Sequence, residues 1–85
     1  EEANDPLLRL SDAIAELVKT PANVDLRYEV ADLTWHWKSR DEGAKWLFSV
    51  LEIEPRHRPA HALLSRHFES LGRSDLAKYH RTQAT

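Results

Sequence analysis

The sequence predicts an all-α fold of five helices paired as antiparallel helical hairpins. Three observations carry that reading. Apolar residues recur at spacings of three and four, the period of a helix with one buried face. Only two glycines and four prolines occur in 85 residues, too few for the many turns of a β sandwich. Each apolar stretch is bounded by residues that start or stop helices. The links between stretches are short, and short links join successive helices as antiparallel neighbours.

The first helix opens at "NDPLL". Asp5 has the short acceptor side chain of an N-cap, and Pro6 suits the first helical position, where a missing N–H costs nothing. Leu7, Leu10, Ile14 and Leu17 follow at helical spacing, and Leu8 and Val18 widen the stripe. "TPAN" ends it, so this helix occupies 6–20. The second helix runs from about Val24 to Lys38, capped by Asn23, with Leu26, Val30, Leu33 and Trp37 on one face. "SRDE" reads as a capping box, with Ser39 as cap and Glu42 three residues on. Leu47, Val50 and Leu51 mark the third helix, flanked by Trp46 and Ile53, and Pro55 requires it to stop. Pro59 opens the fourth, whose stripe is Ala60, Leu64, His67/Phe68 and Leu71. Gly72 is suited to the left-handed residue after its end. Ser74 is then the expected cap of a fifth helix carrying Leu76, Ala77 and Tyr79, and the polar tail "HRTQAT" closes it.

Composition narrows the function classes. Without cysteine there is no disulfide, thiolate nucleophile or Cys-ligated zinc site. Reducing and oxidising compartments both accept a Cys-free chain. No apolar run approaches the ~20 residues of a membrane span. The chain begins at Glu1 and contains no methionine, as expected of an excised domain or a processed product. The net charge of −2 conceals a division. Glu1 to Glu54 holds six Lys/Arg against twelve Asp/Glu, a net −6, whereas Pro55 to Thr85 holds six against two, a net +4. Such a split suits solvated helix faces, a basic interaction surface or head-to-tail packing between domains.

The segments repeat. "VDLRYEVADLTWHWKSRDEGAKWLFSVLEIEPRH", Val24 to His57, aligns with "RPAHALLSRHFESLGRSDLAKYHR" from Arg58 onward. In register, Val30-Ala31 overlies Leu64-Ser65, Trp37 overlies Leu71 and Gly43 overlies Ala77. This pattern resembles the tetratricopeptide repeat (TPR) family, which has a 34-residue period and the signature W-x2-L-G-x2-Y…A-x3-F…P. Leu64-Ser65 takes the Leu-small pair, Phe68 the aromatic, Gly72 the turn, Ala77 the second small residue and Pro55 the terminal proline. Ala31/Gly43 and Ser65/Ala77 would then mark the closest approach of two helices in each hairpin. Arg27, Thr34 and Arg81 depart from the pattern, standing where apolar or aromatic residues are usual. The resemblance implies a right-handed superhelical stack in one domain over 1–85, with 6–20 as an N-terminal capping helix and repeats at 24–57 and 58–85.

The resemblance also implies a function: a non-catalytic module that binds a protein or peptide partner on its concave face. The groove would be lined by Asp25, Tyr28, Asp32, Trp35 and His36 of one repeat and by Ala62, Arg66, Glu69 and Ser70 of the next. Tyr28 and Trp35 would be apolar anchors, and Asp32 and Arg66 polar discriminators. Helical geometry independently puts Tyr28, Asp32 and Trp35 on one face. The competing arrangement has the first helix cover this face, with Trp35 in the core. The basic set with which some TPR domains clamp a terminal carboxylate is not reproduced, since Glu29 and Leu63 stand in its place. The alternative function is a structural spacer or self-association module.

Other chemistry finds little support in these residues. His57 and His61 are separated by Pro59, and no H-E-x-x-H occurs, so no metal or cofactor is expected. His61 holds a packing position of the repeat. His61 and Ser65 share a helix face without an orienting acid, so no catalytic residue is expected. Arg56, Arg58, Arg66, Arg73, Lys78 and Arg81 make the C-terminal part basic, yet a pI near 6.2 argues against a nucleic-acid binder. "EPRHRPAH" reads as a joint, with Arg56, His57 and Arg58 as exposed positive charge.

Overall fold

The computed structural model describes residues 5–85; residues 1–4, the start of the expected domain, lie outside the described residues. Five helices follow one another: α1 (Pro6–Lys19), α2 (Val24–Trp37), α3 (Arg40–Ile53), α4 (Arg58–Ser70) and α5 (Ser74–Gln83). The described residues contain no strand. None of these helices is long and apolar enough to cross a membrane.

Four helix starts are fixed by a side chain that accepts a backbone N–H the helix itself leaves open. Asp5 accepts from Leu7 at 2.9 Å, Asn23 from Leu26 at 3.1 Å and Ser39 from Glu42 at 3.2 Å. The fourth cap is His57, whose Nδ1 accepts from Ala60 N–H at 3.1 Å. The expectation that His57 is exposed connector charge is therefore wrong: the residue is 7% exposed, because capping turns its ring inward. Ser74 is not a cap either. Gly72 adopts φ +74° after α4, and the chain closes with Arg73 N–H on Phe68 C=O at 2.9 Å and Gly72 N–H on Glu69 C=O at 3.1 Å, a Schellman closure. Arg73, one residue beyond the turn, thus becomes the N-cap of α5, and Ser74 its first residue.

Each helix packs on the next, giving two hairpins, α2–α3 and α4–α5, with α1 laid on α2. Close approach requires small residues at both hairpins. A Cβ on Gly43 would sit 2.5 Å from Trp35 Cβ and 2.6 Å from its Cα. Across the second hairpin, Ser65 Oγ donates to Ala77 C=O at 3.0 Å. Gly43 and the Ser65/Ala77 pair therefore lie at helix crossings, but the nearest neighbour of Gly43 is Trp35 and not the expected Ala31.

Two apolar clusters result. Leu10, Ala13 and Leu17 of α1 meet Val30. Ala31, Trp35, Ala44, Leu47, Val50, Ala60, Leu63 and Leu64 form the larger core. Helix α2 takes part in both, so its buried arc runs over Val30, Ala31, Thr34 and Trp35 instead of the narrower expected stripe. Trp37, at the last position of α2, lies outside that arc and is 59% exposed. Leu71 and Tyr79 are likewise exposed; Leu71 lies past the end of α4, and His80 takes the buried place expected of Tyr79. On α1, with α2 as its one substantial neighbour, Leu7, Leu8, Ile14 and Val18 stay exposed.

Candidate functional site

The inner faces of α2 and α4 bound a cleft of about 280 Å3. Tyr28, Asp32 and His36, each four residues apart, form one wall. Pro59, Ala62, Leu63 and Arg66 form the other. Of the residues expected to bind a partner, the cleft brings together Tyr28, Asp32, His36 and Arg66, with Ala62 between them. Asp25, Glu69 and Ser70 are exposed and do not line it. Glu69 accepts from Arg81 at 2.6 Å, which gives a polar role to the residue that departs from the aromatic pattern.

Trp35 is the main correction. It is 4% exposed and lies under the rim, so it is a core residue rather than a surface anchor. It is not α1 that covers it. Its indole N–H donates to Nδ1 of His67 on α4 at 3.0 Å, and its backbone is pressed against Gly43 of α3. The guanidinium groups of Arg40 and Arg66 lie over its ring, 4.5 and 5.5 Å from the centroid, within cation–π range. Trp35 therefore acts on the groove indirectly, by holding Arg66 at the rim.

The walls differ in electrostatics. The Nδ1 of His36 lies 2.9 Å from Asp32 Oδ1 and 2.9 Å from Asp32 C=O, so the acid is already engaged on its own helix. Tyr28 is half-buried with its ring 5.1 Å from that of His57. Burial pushes its phenol pKa up, the charge of Asp32 adds to this, and Arg66 opposes it. Tyr28 consequently presents a neutral hydroxyl. Across the cleft, Arg66 has no carboxylate within ion-pair distance among the described residues. The site thus offers an apolar floor, a hydroxyl, an acid already hydrogen-bonded on its own helix and a guanidinium free of a carboxylate partner among the described residues.

Sequence reasoning put His67 on the buried stripe of α4 without its partner, and missed His57 beneath this surface. His57 floors Tyr28, and His67 holds Trp35. His61, expected to pack, does so: it is buried, its Nε2 donates to Pro55 C=O at 2.8 Å and its Nδ1 lies 2.9 Å from Nδ1 of His80. The signal for His57 was its place two residues before Pro59, where an N-cap belongs; histidine is simply not a preferred cap. No cluster of three or more potential metal-ligating side chains occurs among the described residues.

A second region lies around Trp46. Two shallow clefts flank it, of about 290 and 200 Å3, and Arg27 borders both. Arg27 is tied to Ser49 Oγ at 3.2 Å and to Pro21 C=O, and its guanidinium lies 5.7 Å from the Trp46 ring centre. At this position, where the expected pattern has an apolar residue, the stem fills space and the two terminal nitrogens bond Ser49 and Pro21, while Nε is buried without a hydrogen-bond partner among the described residues. A scan of protein-family models, a search of curated proteins and a search of solved structures each return no match to this chain.

Proposed function

We propose that this chain is a non-catalytic, TPR-type protein-interaction module that takes a peptide or helix between α2 and α4. The observation that carries the reading is the groove itself. Inner faces of the first helix of each hairpin line it together, and Arg66 projects there without a charge partner among the described residues. The chemistry selects the occupant: an apolar side chain over Pro59, Ala62 and Leu63, and an acidic side chain bidentate on Arg66. The anchor is Tyr28 alone, with Trp35 as support from below.

Selection of a random peptide library on the 85-residue chain tests this. The expected result is enrichment of sequences pairing an aromatic or aliphatic residue with Asp or Glu, lost with Arg66→Glu and weakened with Tyr28→Ala. Enriched peptides that bind Arg66→Glu unchanged, or that shift NMR signals around Trp46 instead of Tyr28, would overturn it. The second reading, a self-association or spacer module, is favoured by the exposed apolar residues of α1 and the −6/+4 charge division.

A further inference from the structure

Four of the five histidines are buried, and all four lie in α4, α5 or the entrance to α4: His57, His61, His67 and His80. Their hydrogen bonds dictate where protons sit. Backbone and indole N–H groups only donate. Nδ1 of His57, facing Ala60 N–H, and Nδ1 of His67, facing Trp35 Nε1–H, must therefore each carry a lone pair. A carbonyl oxygen only accepts, so His61 donates to Pro55 from Nε2. Neutral His61 then accepts at Nδ1, and His80 donates to it from its own Nδ1. This pair accommodates one added proton, on Nε2 of His80. A second proton sets two N–H groups against each other at 2.9 Å. A proton on Nδ1 of His57 or His67 does the same against a backbone or indole donor.

We propose that these histidines form a proton-sensitive latch, so that mild acidification releases α4 from α2, loosens α5 on α4 and withdraws the groove. Two of the affected contacts span the groove: His57 against Tyr28, which lines it, and His67 against Trp35, which supports Arg66. The role in partner binding rests on the groove being the binding face; the structural release does not.

The surroundings of His67 and His80 favour neutral rings. On His67, burial lowers the pKa, Arg40 at the start of α3 lowers it further and Asp41 opposes them without prevailing. Trp35 of α2 and the neighbouring Phe68 complete its contacts. On His80, burial acts first and His61 second, both downward, with Phe48 of α3, Phe68 of α4 and the adjacent Tyr79 around the ring. His57 faces the phenol ring of Tyr28, and His61 faces His80 and the Pro55 carbonyl. A histidine whose folded pKa lies below its unfolded value of ~6.5 contributes stability that is complete above that pH. The contribution declines as pH falls through the folded value. Acid, not base, opens the latch.

Nitrogen-15 NMR of the imidazoles in the full chain, with thermal melts from pH 7.5 to 5.0, decides the matter. At pH 7.5, Nδ1 of His57 and His67 should read as unprotonated and Nε2 of His61 as protonated. Toward pH 5.0, Tm should fall, by ~4–8 °C for each 1 kcal/mol of stability lost. The Trp35 indole signal should leave its hydrogen-bonded position in step. His57→Asn with His67→Gln keeps both acceptors without a titrating ring, so its acid-induced fall should be smaller. A flat Tm profile, a double variant as acid-sensitive as the parent, or a protonated Nδ1 on His67 at pH 7.5 would each overturn the latch. Should the double variant not fold, the imidazole signals and melts of the unaltered chain still decide. No ligand enters these measurements, so an absent latch and an absent peptide partner give separate results.

Discussion

Two glycines illustrate how one residue type answers two physical demands. Gly43 has ordinary helical backbone, but any Cβ there collides with the backbone of Trp35. Gly72 has open space around a Cβ but a left-handed φ of +74°. Gly43→Ala should therefore destabilise by about 1–3 kcal/mol through overpacking, despite alanine's better helix propensity. Gly72→Ala should cost about 1–2 kcal/mol through strain, and Gly72→Asn less, because asparagine tolerates αL. Urea melts of the three variants check this; equal effects of Ala and Asn at position 72 would refute the conformational explanation. Trp35 belongs to the same scale. Trp35→Ala should cost roughly 3–5 kcal/mol by opening the core, so lost partner binding in that variant would report unfolding. Arg66→Glu changes the groove with its packing base intact, and its melt should stay close to that of the parent.

Helices obey a rule that the sequence displays openly, and their contacts obey one that it does not. All five helices, three of the five caps and the glycine turn were legible, because propensity, capping and period are local. The buried arc of each helix was less so. Counting spacings finds one stripe, yet α2 has neighbours on more than one side and buries both Val30 and Trp35, whereas α1 rests mainly on α2 and leaves Ile14 and Val18 in solvent. Of the expected groove residues, Tyr28, Asp32, His36 and Arg66 line the α2–α4 cleft, because four-residue spacing on one helix face is visible in the sequence. Trp35 was misread because its partners, Gly43 and His67, lie on other helices. That difference in neighbours predicts a gradient of local stability. With α2 as its main neighbour, supplemented by the exposed Arg9–Glu29 pair, α1 should open more readily than the hairpins. In hydrogen exchange at neutral pH, amides of α1 should lose protection first and those around Leu47 and Leu64 last. Uniform protection through the chain would contradict the gradient.

At the scale of the whole molecule, the chain is an elongated body of 38 × 26 × 18 Å with acidic and basic parts in sequence, −6 before Pro55 and +4 after. Helix order carries that division into space, with α1 on α2 and α5 on α4, so charge and uncovered apolar surface coincide at the α1 side: Leu7, Ile14 and Val18 are exposed, Val18 at 76%. Two forces can thus bring copies together, and salt separates them. Attraction between exposed charges is largely screened beyond ~10 Å at 0.1 M salt, whereas apolar contact strengthens with sulfate. Head-to-tail stacking driven by charge should raise the weight-average mass with concentration at 10 mM salt and return it to that of one chain at 0.5 M. Contact through α1 should survive 0.5 M salt and disappear in Val18→Lys, a change on a solvated helix surface that leaves the core untouched. A single-chain mass under every condition, read by sedimentation equilibrium, would remove the self-association reading and leave the α2–α4 groove as the interaction surface to pursue.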